Sequence, residues 1–183
     1  MHKLSRCDGP EWSEHIHRAQ YALPAADSDP PCLRAGIPRG DPAIFERLVT
    51  SLTPPYFVLY VLHTPRGEGE PGRYQIPELA PAEFREFIAR FAPYLAGDSR
   101  FDVWAHSPGE DATVVWDRHD ELFAYGPIDR YVRELQALGF VPGTVDVPVP
   151  HVHHYREELD APAAEILGAL PWHRTPLQPA DEQ

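Results

Sequence analysis

The sequence predicts an α+β fold: a mixed sheet of about five strands with helices packed on it, a variant of the ferredoxin-like pattern. Three observations carry that expectation. Apolar stripes at helical spacing alternate along the chain with short apolar runs at strand spacing. One run, YFVLYVLH from Tyr56 to His63, is apolar on both alternating faces, as a central strand covered on both sides must be. Hydrophobic residues make up 43% of the 183, enough for one substantial core.

Residues 1–40 read as a Pro-rich arm, because Pro24, Pro30, Pro31 and Pro38 punctuate a polar stretch. Trp12, Ile16 and Ala19 sit at helical spacing within it and predict a short helix over 11–21. A single domain then spans 41–174 and a polar tail 175–183. Asp41-Pro42 is an N-cap followed by proline at the first helical position, and Ile44, Phe45, Leu48, Val49 and Leu52 form the stripe of that helix. After the Tyr56–His63 strand, residues 64–76 read as a loop. Pro81 starts a second helix, whose stripe is Phe84, Phe87, Ile88, Phe91 and Leu95. Strands follow at 101–106, 113–116 and 122–125, the last two joined by a polar turn. A third helix carries Ile128, Tyr131, Val132, Leu135 and Leu138 and stops at Gly139. The last strand is read at 144–149, where Pro148 and Pro150 leave one edge unable to pair. A final helix runs from Asp160 to Leu170.

Composition excludes several classes of function. No run of about 18 apolar residues exists, so no membrane span is expected, and the first 20 residues lack a signal-peptide core. Asp and Glu outnumber Lys and Arg by 28 to 16, a net charge of −12, which argues against a nucleic-acid surface. Cys7 and Cys32 are too few for a disulfide framework. A cytoplasmic protein follows as the expectation. The abundance of Ala, Arg, Pro and Gly, with no Asn and Lys3 as the sole lysine, fits GC-rich codon usage.

The ten histidines supply the candidate site. His63 and His106 each end a strand, and a helical crossover between those strands would make them parallel, with both histidines at one rim. If 113–116 and 122–125 are separate strands, the last strand also ends there, adding His151, His153 and His154 and leaving His119 at the opposite end. If they form one bent strand, the cluster splits. His151 and His153, two apart in extended chain, point to one side. With His63 or His106 as a third ligand and water as a fourth, they could hold a divalent metal such as zinc, with Tyr155 a hydrogen-bond or proton donor nearby. His63, His106, Trp104 and Tyr155 are the candidate binding residues. Asp117, Asp120 and Glu121 read as hairpin-turn charge, and Glu68, Glu70, Glu110 and Asp111 as solvated loop charge.

His63-Thr64 and His106-Ser107 resemble the paired strands of the two-histidine phosphoesterases. The hydroxyl here comes one residue after the histidine, not two, so it would point away from a phosphate that the ring faces. No Walker loop, GxGxxG or GxSxG occurs. The function expected from charge is a small acidic binding protein of the bacterial immunity or antitoxin type, engaging a basic protein partner. The alternative is a small His-ligated, metal-dependent hydrolase with its site at the rim of the sheet.

Overall fold

The structure, a computed structural model, describes residues 1–181. The class is α+β, and the described residues form four α-helices, a mixed nine-stranded sheet and a separate three-stranded sheet. The strands are β1 (Leu4–Asp8), β2 (Glu11–His15), β3 (Gln20–Ala22), β4 (Cys32–Gly36), β5 (Tyr56–Leu62) and β6 (Gly72–Leu79), then β7 (Phe101–Ser107), β8 (Ala112–Trp116), β9 (Glu121–Tyr125), β10 (Val141–Pro142), β11 (His151–His153) and β12 (His173–Thr175). The helices are α1 (Pro42–Thr50), α2 (Pro81–Gly97), α3 (Ile128–Ala137) and α4 (Asp160–Ala169).

The main sheet has nine strands, not about five, in the order β10-β3-β4-β9-β8-β7-β5-β6-β12. Besides β5, β7, β8 and β9 it holds five further strands. Two of them, β3 and β4, come from the segment expected as an arm, whose β1 and β2 form the small sheet with β11, and no helix forms over 11–21; β10 and β12 are short strands at the two edges. Leu33 and Ala35 point into the core while Cys32 and Arg34 face outward, a period of two and not 3.6. The fifth is β6, which begins within the expected 64–76 loop and runs past its end. Its Tyr74 and Ile76 are buried while Gln75 between them is exposed.

That hairpin reverses the chain, so β5 pairs antiparallel with β7, with Leu62 opposite Phe101 and Phe57 opposite His106. The expected parallel pair is therefore absent. Strands β6 and β7, both antiparallel to β5, run the same way and are joined through α2 as one split β-α-β unit. Among the described residues only β10 and β3 pair in parallel. The expected strand at 144–149 does not form; pairing resumes at β11, against β1.

The helices form where the sequence places them. Asp41 accepts a hydrogen bond from Ala43 N at 3.0 Å with Pro42 behind it, and Glu83 accepts one from Ala80 N at 2.8 Å to cap α2. Phe84, Phe87, Ile88, Phe91 and Leu95 are buried as one stripe, and they share a single core with Phe101, Val103 and Ala105 of β7. Their alternates Asp102, Trp104 and His106 are half-buried on the opposite face, which no stripe of α1 or α2 covers. No helix among the described residues is long and apolar enough to cross a membrane.

Two ionic anchors tie the periphery to this core. Arg100, fully buried, donates to Asp98 at 2.8 Å and to Glu68 and Asp160 at 3.0 Å, so Glu68 is buried structural charge and not loop solvation. Lys3, also fully buried, sits 3.1 Å from Asp120 and 4.2 Å from the Trp116 ring centroid. It fastens β1 to the β8–β9 turn.

Candidate functional site: a three-histidine cluster

The site forms where the small sheet meets the turn between β8 and β9. Val103 lies opposite Trp116, so this turn sits at the same end of the main sheet as Asp102 and the C-terminus of β5. Asp120 closes the turn at φ 60°, a conformation that short polar side chains tolerate. Asp117 Oδ1 accepts from the backbone N–H groups of His119 and Glu121, each at 2.9 Å. The small sheet brings its own histidines. In β11, Arg6 of β1 faces His151 and Leu4 faces His153, and the period of two puts both rings on the side that meets the turn.

One ring nitrogen from each of His119, His151 and His153 then lies within 4.8 Å of the other two. The ring centroids are 4.9 to 5.3 Å apart. His119 Nδ1 is 2.7 Å from Asp117 Oδ2, and His151 Nδ1 is 2.8 Å from Pro148 O. An oxygen acceptor at each Nδ1 makes that nitrogen the N–H donor and leaves the lone pair on Nε2. His151 Nε2 and His153 Nε2 are 3.3 Å apart. Two ligands at the usual zinc–nitrogen distance of about 2.0–2.1 Å in a tetrahedron are separated by about 3.3–3.4 Å. Burial, followed by His119 and His151 beside it, pushes His153 down to about 3, so its ring is neutral at neutral pH, as a metal ligand must be. Its Nδ1 is buried without a hydrogen-bond partner.

Further histidines from the first 20 residues line this cluster. His17 Nε2 meets His119 O at 2.9 Å, and His15 stacks edge-on against His17 at 4.6 Å. Burial, then His17 and Arg6, lowers His15 to about 4, with His151 adding a smaller repulsion. His63 Nε2 lies 2.9 Å from Asp102 Oδ2 in an off-axis contact. Burial pushes the Asp102 carboxyl up, but His63 and the Arg118 backbone N–H, at 2.8 Å, outweigh it and hold the group below the ordinary carboxylate range.

Of the expected ligands, His151 and His153 are together, while His63 pairs with Asp102 outside the triplet. His106 is at the far end of the sheet, its Nδ1 2.9 Å from Thr113 Oγ1, because β5 and β7 are antiparallel. His119, expected at the opposite end, is the third member. The strand count moved it: with β6 present, His63 and the β8–β9 turn share one end. His154 turns away, its Nε2 2.8 Å from Ser5 Oγ. Tyr155 stacks on His153 with centroids 6.2 Å apart, and Trp104 lies on the open face of the main sheet. His119 did have a local signal in Asp117-x-His119, a carboxylate two residues from a histidine in a tight turn.

A cleft of about 320 Å³ opens beside His119 and Asp117 and runs over Trp104, Phe123 and Tyr125. Fold and site together define an α+β protein with a three-histidine cluster at one end of a large sheet. Comparison with protein-family models, with curated proteins and with solved structures returns no match, so the site is read from its own geometry.

Proposed function

We propose that this protein binds one divalent metal ion of the zinc class through His119, His151 and His153 and uses it to activate water for hydrolysis. The observation that carries the reading is the arrangement of the three rings. Their nitrogens converge, and Asp117 and the Pro148 carbonyl orient two of them from behind. Three protein ligands, not four, is the pattern of catalytic zinc, where the fourth position takes water and lowers its pKa toward about 7. The ionised Asp102, at the same sheet end and lining the adjoining cleft, would accept a hydrogen bond from that water beside His63.

Isothermal titration of untagged full-length protein with zinc tests this. One site per chain is expected, abolished in His153→Ala and retained in His106→Ala. Substoichiometric metal after purification, with no uptake on titration, would sink the idea.

The net charge of −12 favours a second reading, an acidic module that engages a basic protein partner. Co-purification across a range of ionic strength tests it. Retention of no partner at low salt counts against it.

A further inference from the structure

We infer that the cleft beside the histidine cluster seats the planar ring of a single-ring aromatic carbonyl compound, the ligand class on which the proposed metal site acts. The inference rests on that metal reading and adds a substrate class to it.

Four observations lead there. The cleft shares His119 and Asp117 with the metal cluster, so a ligand lying in it has one end at the three rings. Its floor is a cross-strand row on the open face of the sheet, in which Phe123 pairs with Val115 and Val115 with Trp104. Phe123 and Trp104 thus offer flat aromatic surface, and Tyr125 extends it, the composition that holds a ring by stacking. Trp104 Nε1 is a buried donor with no partner, a group that a ligand oxygen would satisfy. The volume of about 320 Å³ is at the small end of ligand sites, enough for one ring with its substituent and too small for a polymer segment.

The acidic groups of the wall do not call for a cationic ligand. Asp102 is engaged by His63 and Arg118 N, Asp117 by His119, and Asp181 by Arg73 at 2.5 Å. The floor has its own cations, with Arg73 5.8 Å from the Trp104 ring centroid and Arg34 5.5 Å from that of Phe123, and what remains unmatched is the Trp104 N–H beside these rings. A ring carrying an oxygen acceptor complements both, and a carbonyl-type oxygen also suits the open position of a zinc-class ion.

The test compares two hydroxamates on the zinc-loaded full chain by calorimetry. Benzohydroxamate has the ring; acetohydroxamate has the same chelating group without it. Benzohydroxamate is expected to bind at least about tenfold more tightly, and Trp104→Ala to erase that preference. Trp104→Phe, which keeps the aromatic floor, retains most of the preference and controls for misfolding. Equal affinity of the two probes on zinc-loaded protein overturns the aryl site and leaves the metal reading standing. If no zinc is taken up, the metal reading fails on its own. Benzamide titrated into the metal-free protein then decides the cleft through the indole N–H resonance of Trp104, identified by its loss in Trp104→Phe. A saturable shift supports the ring site, and no shift overturns it.

Discussion

Asp117→Asn isolates the electrostatic core of the site from its folding role. The wild-type carboxylate accepts three hydrogen bonds. Oδ1 takes the backbone N–H groups of His119 and Glu121, which shape the turn, and Oδ2 takes His119 Nδ1–H, which sets the tautomer. Asparagine with its oxygen in the Oδ1 position keeps both backbone bonds. Its amide nitrogen then faces His119 Nδ1 as a donor, which favours the tautomer carrying the proton on Nε2. That proton occupies the lone pair needed by a metal. Loss of such an outer partner weakens metal binding by about 10- to 100-fold, or about 1.4–2.7 kcal/mol. Zinc affinity is measured by competition with a chromophoric chelator, and stability of the metal-free protein by thermal melting. The expected result is the affinity loss with little change in melting temperature. Zinc affinity within twofold of wild type would refute the assignment of His119 Nε2 as a ligand atom. A large fall in melting temperature alone would show that the aspartate serves the turn and not the cluster.

Two further perturbations follow from buried and bridged charge. Lys3→Met removes the ammonium from a site where it is fully buried and leaves Asp120, whose carboxyl burial already pushes up, without its ion pair. Uncompensated buried charge costs about 3–5 kcal/mol, on the order of 10 °C in melting temperature for a chain of this size. A loss under about 1 kcal/mol would contradict the anchoring role. Glu110 accepts from Arg130 Nη1 at 2.9 Å and from Thr53 N at 2.6 Å, and these contacts hold it at about 2, against an ordinary 4.5. A carboxylate depressed by folding stabilises fully above its unfolded value and loses that contribution as pH falls toward the folded one. The wild type should therefore exceed Glu110→Gln in stability above about pH 4.5, with the gap closing toward about pH 2. Urea midpoints across that range measure it, and a gap independent of pH would count against the pairing.

The parts of the fold legible in the sequence are those fixed by local chemistry. Caps and stripes placed α1, α2 and α3, and the apolar run placed β5, because those signals sit within a few turns of chain. What sequence reading missed is pairing. A strand such as Gly72–Leu79 alternates weakly, with Gln75 and Glu78 exposed, and becomes a strand only because β5 offers it an edge. Missing it has a disproportionate consequence. One extra strand reverses the direction of every later strand relative to β5, and so exchanges the ends of the sheet. His106 was lost from the site and His119 gained by that single change.

The same logic explains why HxH was legible and the full cluster was not. Two residues apart in extended chain share a face whatever the topology, so His151 and His153 needed only a strand to be neighbours. His119 needed the parity of the strand count to be right, and His15 and His17 needed the first 40 residues to be sheet. The buried Lys3–Asp120 pair shows how the protein enforces what the sequence leaves open. The lone lysine, immediately before β1, is drawn against the Trp116 ring and into the turn that carries His119, while β1 pairs with the strand that carries His151 and His153. Each contact is modest in registering power alone. Together they hold the two sheets, and hence the three rings, at one separation, so the anchoring pair and the histidine cluster should weaken together.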